Sequence, residues 1–462
     1  MQNILDHIDS GLNASLERLF AFLRIPSISA QPAHAHDCRL AATWVRDLLA
    51  EMGFTARLSE TSGLPGVIAT HHAAGPEAPH VLFYGHYDVQ PADPLELWHA
   101  DPFTPQLVEG PRGKRIVARG AVDDKGQVIS FLEACRAHLA ATGGLPVRLT
   151  VLLEGEEENG SPSLVELLQN ERAALAADFV LVADTNMWNF TTPAITTSLR
   201  GLAAIEVTLH GPRRDLHSGL FGGIALNPAQ ALTTILGQMK DAAGRITIPG
   251  FYDGVAPVPP ALARSWERLG FDAAGFLGDV GLHHPAGEAT QGSLAQLWAR
   301  PTAEINGIFS GYQGEGSKTI IPAEATAKLT FRLVAGQDPH KILDGFEQFV
   351  RDRLPADAAA TFRRGGAAPG FAVSPDAPFL RAAQTALEAE FGTPAALIGC
   401  GASIPVVEAF KTHLGLDTLL VGFGLDDDCI HSPNEKFELA CFHRGMRAQA
   451  RLLSAFAGQE VQ

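Results

Sequence analysis

At 462 residues the chain exceeds the size at which one hydrophobic core keeps growing, so two domains are expected. Hydrophobic residues at 46%, charged residues at 19% and a formal net charge of −16 describe an ordinary globular protein. That charge argues against a nucleic-acid partner, which needs a basic face.

The first residues, Met1 to His7, carry neither a basic n-region nor an apolar h-region. No stretch approaches the roughly 20 apolar residues that a membrane helix needs. Five cysteines with no Cys-x-x-Cys pair fit reduced thiols and neither a disulfide frame nor a zinc knuckle. A cytoplasmic protein without a membrane partner is the expectation.

Helical spacing of apolar residues predicts helices near 4–24, through Leu16, Leu19, Phe20 and Leu23, and near 37–52, through Val45, Leu48 and Leu49. Apolar runs that read as buried strands follow at His80–Gly85, Arg115–Arg119, Leu149–Leu153 and Phe179–Ala183, with a helix from Gln127 to Ala141. Alternation of strands and helices to about residue 195 predicts a mainly parallel sheet flanked by helices. From Leu199 the pattern changes. Residues 203–210 and 325–334 alternate like half-exposed strands, helices are expected at 228–239 and 339–353, and 244–300 reads as irregular. After Gly370 the α/β pattern resumes, with a last strand at Leu419–Phe423. The expected architecture is an α/β domain built from 1–197 and 372–462, with an α+β domain, 198–371, inserted between its parts.

Five side chains of metal-ligand type stand where these strands hand over to loops: His86, Asp123, Glu158, Asp184 and His431. Ligands bind in the crevice outside the carboxyl ends of strands in open α/β sheets. Two imidazoles and three carboxylates there suit a pair of divalent ions such as zinc or manganese. Each motif also has a plainer reading. His86-Tyr-Asp88 pairs an imidazole with a carboxylate able to hold its second nitrogen, yet such spacing is common by chance. Asp123-Asp124-Lys-Gly could be a helix N-cap. Glu156-Glu157-Glu158 at the end of an apolar strand could be a solvated acidic turn. If buried, it needs a cation, and one glutamate can stay free as a general base. Gly311 to Thr319 mimics a phosphate loop, but its lysine is displaced by one residue and no helix follows. Cys400 and Cys429, with no base beside them, read as small buried residues.

The motifs Gly85-His86-Tyr-Asp88-Val, Arg119-Gly-Ala-Val-Asp123-Asp124-Lys-Gly, Glu156-Glu157-Glu158-Asn-Gly-Ser, Asp215-Leu-His217-Ser-Gly-Leu-Phe-Gly-Gly, Ser403-Ile-Pro and His431-Ser-Pro-Asn-Glu435 run through nearly the whole chain. Together they resemble the two-zinc metallopeptidases that include carboxypeptidase G, aminoacylase and succinyl-diaminopimelate desuccinylase. Within that family the resemblance is to the carnosine and cytosolic non-specific dipeptidases. It implies two divalent ions per subunit, zinc first and manganese as the other candidate. His86 and Asp184 would hold one, Glu158 and His431 the other, with Asp123 bridging. Asp88 would orient His86, and Glu157 would be the general base for attack by a metal-bound hydroxide on the amide. The peptide after Asp123 would be cis. The inserted domain would be a lid and dimerisation domain whose His217 reaches the partner subunit's site, with Arg332 and Ser403 binding the peptide substrate.

In the family that this chain resembles, an aspartate at the position of Asp184 accompanies dipeptidase or aminopeptidase action, and a glutamate accompanies carboxypeptidases and deacylases. The resemblance therefore implies a dipeptidase. In place of that branch's Arg-Glu-Gly-Gly, Gly399-Cys400-Gly-Ala402 precedes Ser403, which keeps an N-acyl-amino-acid amidohydrolase as the alternative. A binding protein without turnover is the third reading, against which the full ligand set and Glu157 argue.

Overall fold

The computed structural model describes residues 1–402 and 404–458. The chain divides into two compact units. One comprises Met1–Thr197, Val373–Ile398 and the chain from Pro405 on. The other comprises Ser198–Ala372 and a short return segment, 399–404.

The first unit is built on a sheet whose spatial order is Thr55–Ser59, Gly66–His71, Arg148–Glu154, His80–His86, Phe179–Val182, Thr418–Leu420 and Ala194–Leu199. The four strands from Arg148–Glu154 to Thr418–Leu420 are parallel to one another, and the strands on both sides pair antiparallel. The parallel expectation therefore holds for the centre only, and the sheet is mixed. The centre is parallel because its strands are apolar on both faces: every residue of His80–His86 and of Phe179–Val182 is buried. The helix Lys125–Thr142 lies against Gln2–Leu23 and Leu439–Phe456. It stacks Phe131 on Phe83 of the central strand, ring centroids 3.7 Å apart. Burying one such ring contributes about 1.5–3 kcal/mol.

The run Arg115–Arg119 departs from its reading as a buried strand. It falls in the hairpin Gln106–Gly110 and Gly113–Val117, where Ile116 alone is buried. That hairpin pairs with Lys436–Glu438 in a separate three-stranded sheet. Asp123 thus arrives from outside the central sheet.

The second unit holds a four-stranded antiparallel sheet in the order Thr302–Ser310, Glu324–Leu333, Gly201–His210, Ala359–Ala368. Gly201–His210 alternates buried and half-buried residues along its whole length, as its sequence alternates. Helices Pro228–Leu236 and Pro339–Arg351 close the core around Phe331, Phe346 and Phe349. Each begins with a proline behind an Asx cap, Asn227 and Asp338, whose side chains accept two backbone N–H groups apiece. The stretch 244–300 is not irregular throughout. It contains the short helices Pro260–Arg268, Ala273–Gly278 and Ser293–Trp298, too brief for their periodicity to stand out among prolines and glycines. Gly311 to Thr319 is a loop that leads into the strand Ile320–Ile321. No helix among the described residues is long and apolar enough to cross a membrane.

Candidate metal centre

His86 is the last residue of a fully buried strand, so its ring is held with no solvent on either nitrogen. Its Nδ1 lies 3.1 Å from the Asp88 carbonyl oxygen and 3.3 Å from Asp88 Oδ1. Its Nε2 lies 3.0 Å from Asp123 Oδ1 and 3.8 Å from Asp184 Oδ2. Burial pushes the His86 pKa down, but the hydrogen bonds to Asp123 and Asp88 outweigh it and hold the ring well above its ordinary value.

Asp123 carries a second histidine on its other oxygen: His431 Nε2 is 3.0 Å from Asp123 Oδ2 and 3.0 Å from Glu158 Oε2. Hydrogen bonds to Asp123 and Glu158 raise His431 to about 10. Asp123 itself is held below the carboxylate range, burial being overcome by bonds from His431 and His86. The peptide between Asp123 and Asp124 is cis, and His431 sits at φ +59°. The Asp124 side chain faces inward instead of capping the helix behind it. Its Oδ2 accepts the His86 N–H at 3.1 Å.

The acidic run after Arg148–Glu154 is a 3₁₀ turn, Glu157–Asn159. Asp88 Oδ2 accepts the Glu158 N–H at 3.1 Å and its backbone carbonyl oxygen lies 3.1 Å from His86 Nδ1, so one residue fixes both His86 and the backbone of Glu158. Gln90 donates to Glu158 Oε2 at 2.8 Å and to its carbonyl at 3.1 Å. The Glu157 side chain makes no such bond among the described residues. Burial raises its pKa; the charge of His86 opposes this, and Glu158 and Asp123 add to it. Behind the turn, Tyr84 and Ser161 both donate to Glu154 Oε1 at 2.6 Å, and burial raises Glu154 to about 7.

Two ligand sets result, His86–Asp123–Asp184 and Asp123–Glu158–His431, each with donor atoms within 4.8 Å of one another. These donors fit divalent cations on charge as well as spacing. Asp184 is raised well above its ordinary range by burial and then by the charge of Asp123. Carboxylates about 4 Å apart repel by roughly 4 kcal/mol at an effective dielectric near 20, a cost that a shared dication removes.

Sequence reasoning missed Glu435, whose carboxylate is buried beneath the Asp123 loop. Glu435 Oε2 accepts from Arg119 Nη1 at 2.8 Å and from the Gly120 N–H at 2.9 Å. Its Oε1 accepts the N–H groups of Val122 and Asp123 at 2.9 and 3.1 Å. A glutamate within the His431 motif was the available signal. Gln90, four residues after His86, was missed as well.

His217 and Arg332 belong to the second unit. His217 is exposed at the end of the strand Leu216–His217, and its Nδ1 accepts the Gly219 N–H at 3.0 Å. Arg332 is half-buried on Glu324–Leu333 and lines a cavity, in place of the solvent-facing position otherwise open to a strand arginine. Ser403 lies outside the described residues. Cys400 is half-buried and Cys429 exposed, so neither is the buried small residue expected.

The chain is similar to known proteins over nearly its whole length. The profile of peptidase family M20/M25/M40 matches residues 82–455. The chain is 30% identical over 465 residues to the Cys-Gly metallodipeptidase DUG1 of Candida albicans, covering 97% of this chain and 95% of that one. It is 32% identical over 384 residues to the human beta-Ala-His dipeptidase, covering 81% and 74%. Among solved structures it matches the di-peptidase Dug1p of Saccharomyces cerevisiae with a TM-score of 0.74 at 27% identity, over 99% of this chain and 98% of that one.

Proposed function

We propose that this chain, which belongs to peptidase family M20/M25/M40, is a metal-dependent dipeptidase working at the cluster around Asp123. The observation that carries this reading is the Asp123 carboxylate, which has a histidine 3.0 Å from each oxygen and a further carboxylate beside each histidine. One divalent ion would be held by His86 and Asp184, the other by Glu158 and His431, with Asp123 shared. Zinc is the first candidate and manganese the second. Bound there, the ions would acidify a water and polarise the scissile carbonyl.

The chain's own residues do the rest. Glu157, next to a ligand and with no side-chain hydrogen bond among the described residues, takes a proton from the attacking water and returns it to the leaving amine. Its raised pKa brings it nearer to neutrality, where proton transfer in both directions is efficient. Asp88 fixes the His86 ring and, through the Glu158 N–H, links the two ligand sets. Arg332 offers a planar fork to the substrate's terminal carboxylate. His217 donates to the carbonyl oxygen as charge builds on it, and does so across a homodimer interface, in the partner subunit's site. The second unit supports dimerisation. Its edge strand Thr302–Ser310 exposes Ile305, Ile308 and Phe309, and Leu220 and Ile224 are exposed just after His217 in the sequence. We place the enzyme in the cytoplasm, with Ser403 as a further substrate contact.

Full-length protein stripped with chelator, then given zinc or manganese, is assayed on a free dipeptide and its N-acetyl analogue. Metal-restored cleavage of the free dipeptide alone is expected. Cleavage confined to the acetylated compound would overturn the dipeptidase reading in favour of deacylation.

A further inference from the structure

A cavity of about 470 Å³ lies within the second unit, and its wall holds more cations than acids. Arg200, Lys240, Arg300 and Arg332 face it against Glu288 and Glu304. Glu288 is committed to Arg300, which grips both its oxygens at 3.0 and 2.9 Å. Lys240 comes within 3.9 Å of Glu304. Neither Arg200 nor Arg332 has a carboxylate partner among the described residues.

Strand register puts these two arginines at one end of the sheet. Arg332 pairs with Leu202 and Thr302, and Arg200 immediately precedes Gly201, which pairs with Leu333. Arg200 is held by the return segment: its backbone N–H donates to the Cys400 carbonyl at 3.2 Å and its Nε to the Gly401 carbonyl at 3.0 Å. Nη1 is buried with no acceptor. Burial, and then the charge of Arg332, hold the Arg200 guanidinium below the ordinary arginine range. Glu304 on the same wall partly offsets this, but two guanidiniums without a paired carboxylate remain costly in the free protein, and a bound carboxylate relieves that cost.

We propose that this cavity takes a second carboxylate of the substrate on Arg200, beside the terminal carboxylate on Arg332, so that the enzyme prefers dipeptides whose C-terminal residue is acidic. The inference rests on the dipeptidase reading and on Arg332 as the partner of the terminal carboxylate. An added charge-assisted pair of this kind is expected to favour the acidic substrate about tenfold, mostly through KM.

The test compares Ala-Glu with Ala-Gln, twins that differ only in side-chain charge, on the metal-loaded enzyme. The wild type should prefer Ala-Glu about tenfold in kcat/KM, and Arg200→Gln should bring the ratio close to one. Cys400→Glu, which leaves Arg200 itself in place and adds a carboxylate to the segment that holds it, should do the same. A second readout needs no turnover: glutarate should raise the wild-type Tm more than its monoamide does, and that difference should vanish in both variants. Equal handling of the twins by the wild type, or a preference that survives both substitutions, would overturn the proposal. If no dipeptide is cleaved while glutarate selectivity still depends on Arg200, the dipeptidase reading fails and the anion site stands.

Discussion

Glu435 Oε1 accepts the backbone N–H of Asp123 at 3.1 Å, so the residue that carries two histidines is itself hung from a buried carboxylate. The same carboxylate holds the N–H groups of Gly120 and Val122 and the guanidinium of Arg119. Arg119 and Glu435 are both 1% exposed at their side chains. A pair buried this deeply contributes little by attraction alone, but breaking it leaves an uncompensated charge at a cost of about 3–5 kcal/mol.

Glu435→Gln keeps the shape and removes the charge. We expect the thermal midpoint to fall and the tightly bound metal to drop below two ions per chain, because the loop that aims Asp123 loses its anchor. Elemental analysis after dialysis against a weak chelator is the measurement. A variant that retains both ions at wild-type affinity would show that the cis Asp123–Asp124 segment holds its position without Glu435.

Much of this arrangement was legible because carboxylates and histidines are expensive to place directly after apolar strands. His86 ends a strand of the central sheet, Glu158 and Asp184 follow others, and His431 follows Thr418–Leu420 by a loop. What stayed hidden depends on partners distant in sequence. Nothing local to Arg115–Val117 reveals that it pairs with Lys436–Glu438 and not with the central sheet. Nothing local to Glu435 reveals four donors lying more than 300 residues away. The antiparallel flanks of the sheet were obscured in the same way, since Gly66–His71 is apolar enough to suit either orientation. Short helices within 244–300 were hidden by composition instead.

Glu157→Gln separates proton transfer from metal holding. Glu157 makes no hydrogen bond to either histidine, unlike Glu158 and Asp123, so its neutral isostere should leave metal content unchanged. Loss of a general base costs roughly 10²–10⁴ in kcat, and at least that is expected here. Metal analysis and steady-state rates on one preparation make the comparison. Substantial remaining activity would remove Glu157 from the role of base.

Metal loading should be coupled to protons. His431 lies 3.0 Å from both Asp123 and Glu158, and hydrogen bonds to them raise it to about 10. A cation at that nitrogen must displace the proton, so loading at pH 7 should release protons and affinity should rise with pH. The effect on stability has the opposite sign in the stripped protein. A histidine raised in the folded state contributes stability that is complete below its unfolded value near 6.5 and is lost as pH climbs towards about 10. Stripped protein should therefore lose stability from pH 7 to 10, while loaded protein keeps it. Calorimetric titration in two buffers of different ionisation enthalpy reads the protons, and melting curves across that range read the stability. Parallel melting profiles with and without metal would contradict the assignment of His431 as a ligand.

His217 calls for a test of a different kind, because its proposed action is on a second copy of the chain. Within its own unit it caps the short helix Ser218–Phe221, accepting the Gly219 N–H at 3.0 Å. A purely local role predicts a small loss of stability and little change in rate for His217→Ala. Stabilisation of the carbonyl oxygen in the partner subunit predicts a fall in kcat of about 10²–10³ with metal content unchanged. Mixed dimers decide between them. When His217→Ala and Glu157→Gln chains exchange freely, half of the dimers are mixed, and in each of these one site has an intact Glu157 served by an intact His217 from the other subunit. Recovery to about a quarter of wild-type activity is then expected from two nearly inactive parents in a twofold-symmetric dimer. If His217 instead serves its own subunit, each site in a mixed dimer keeps one lesion and activity stays at the parental level.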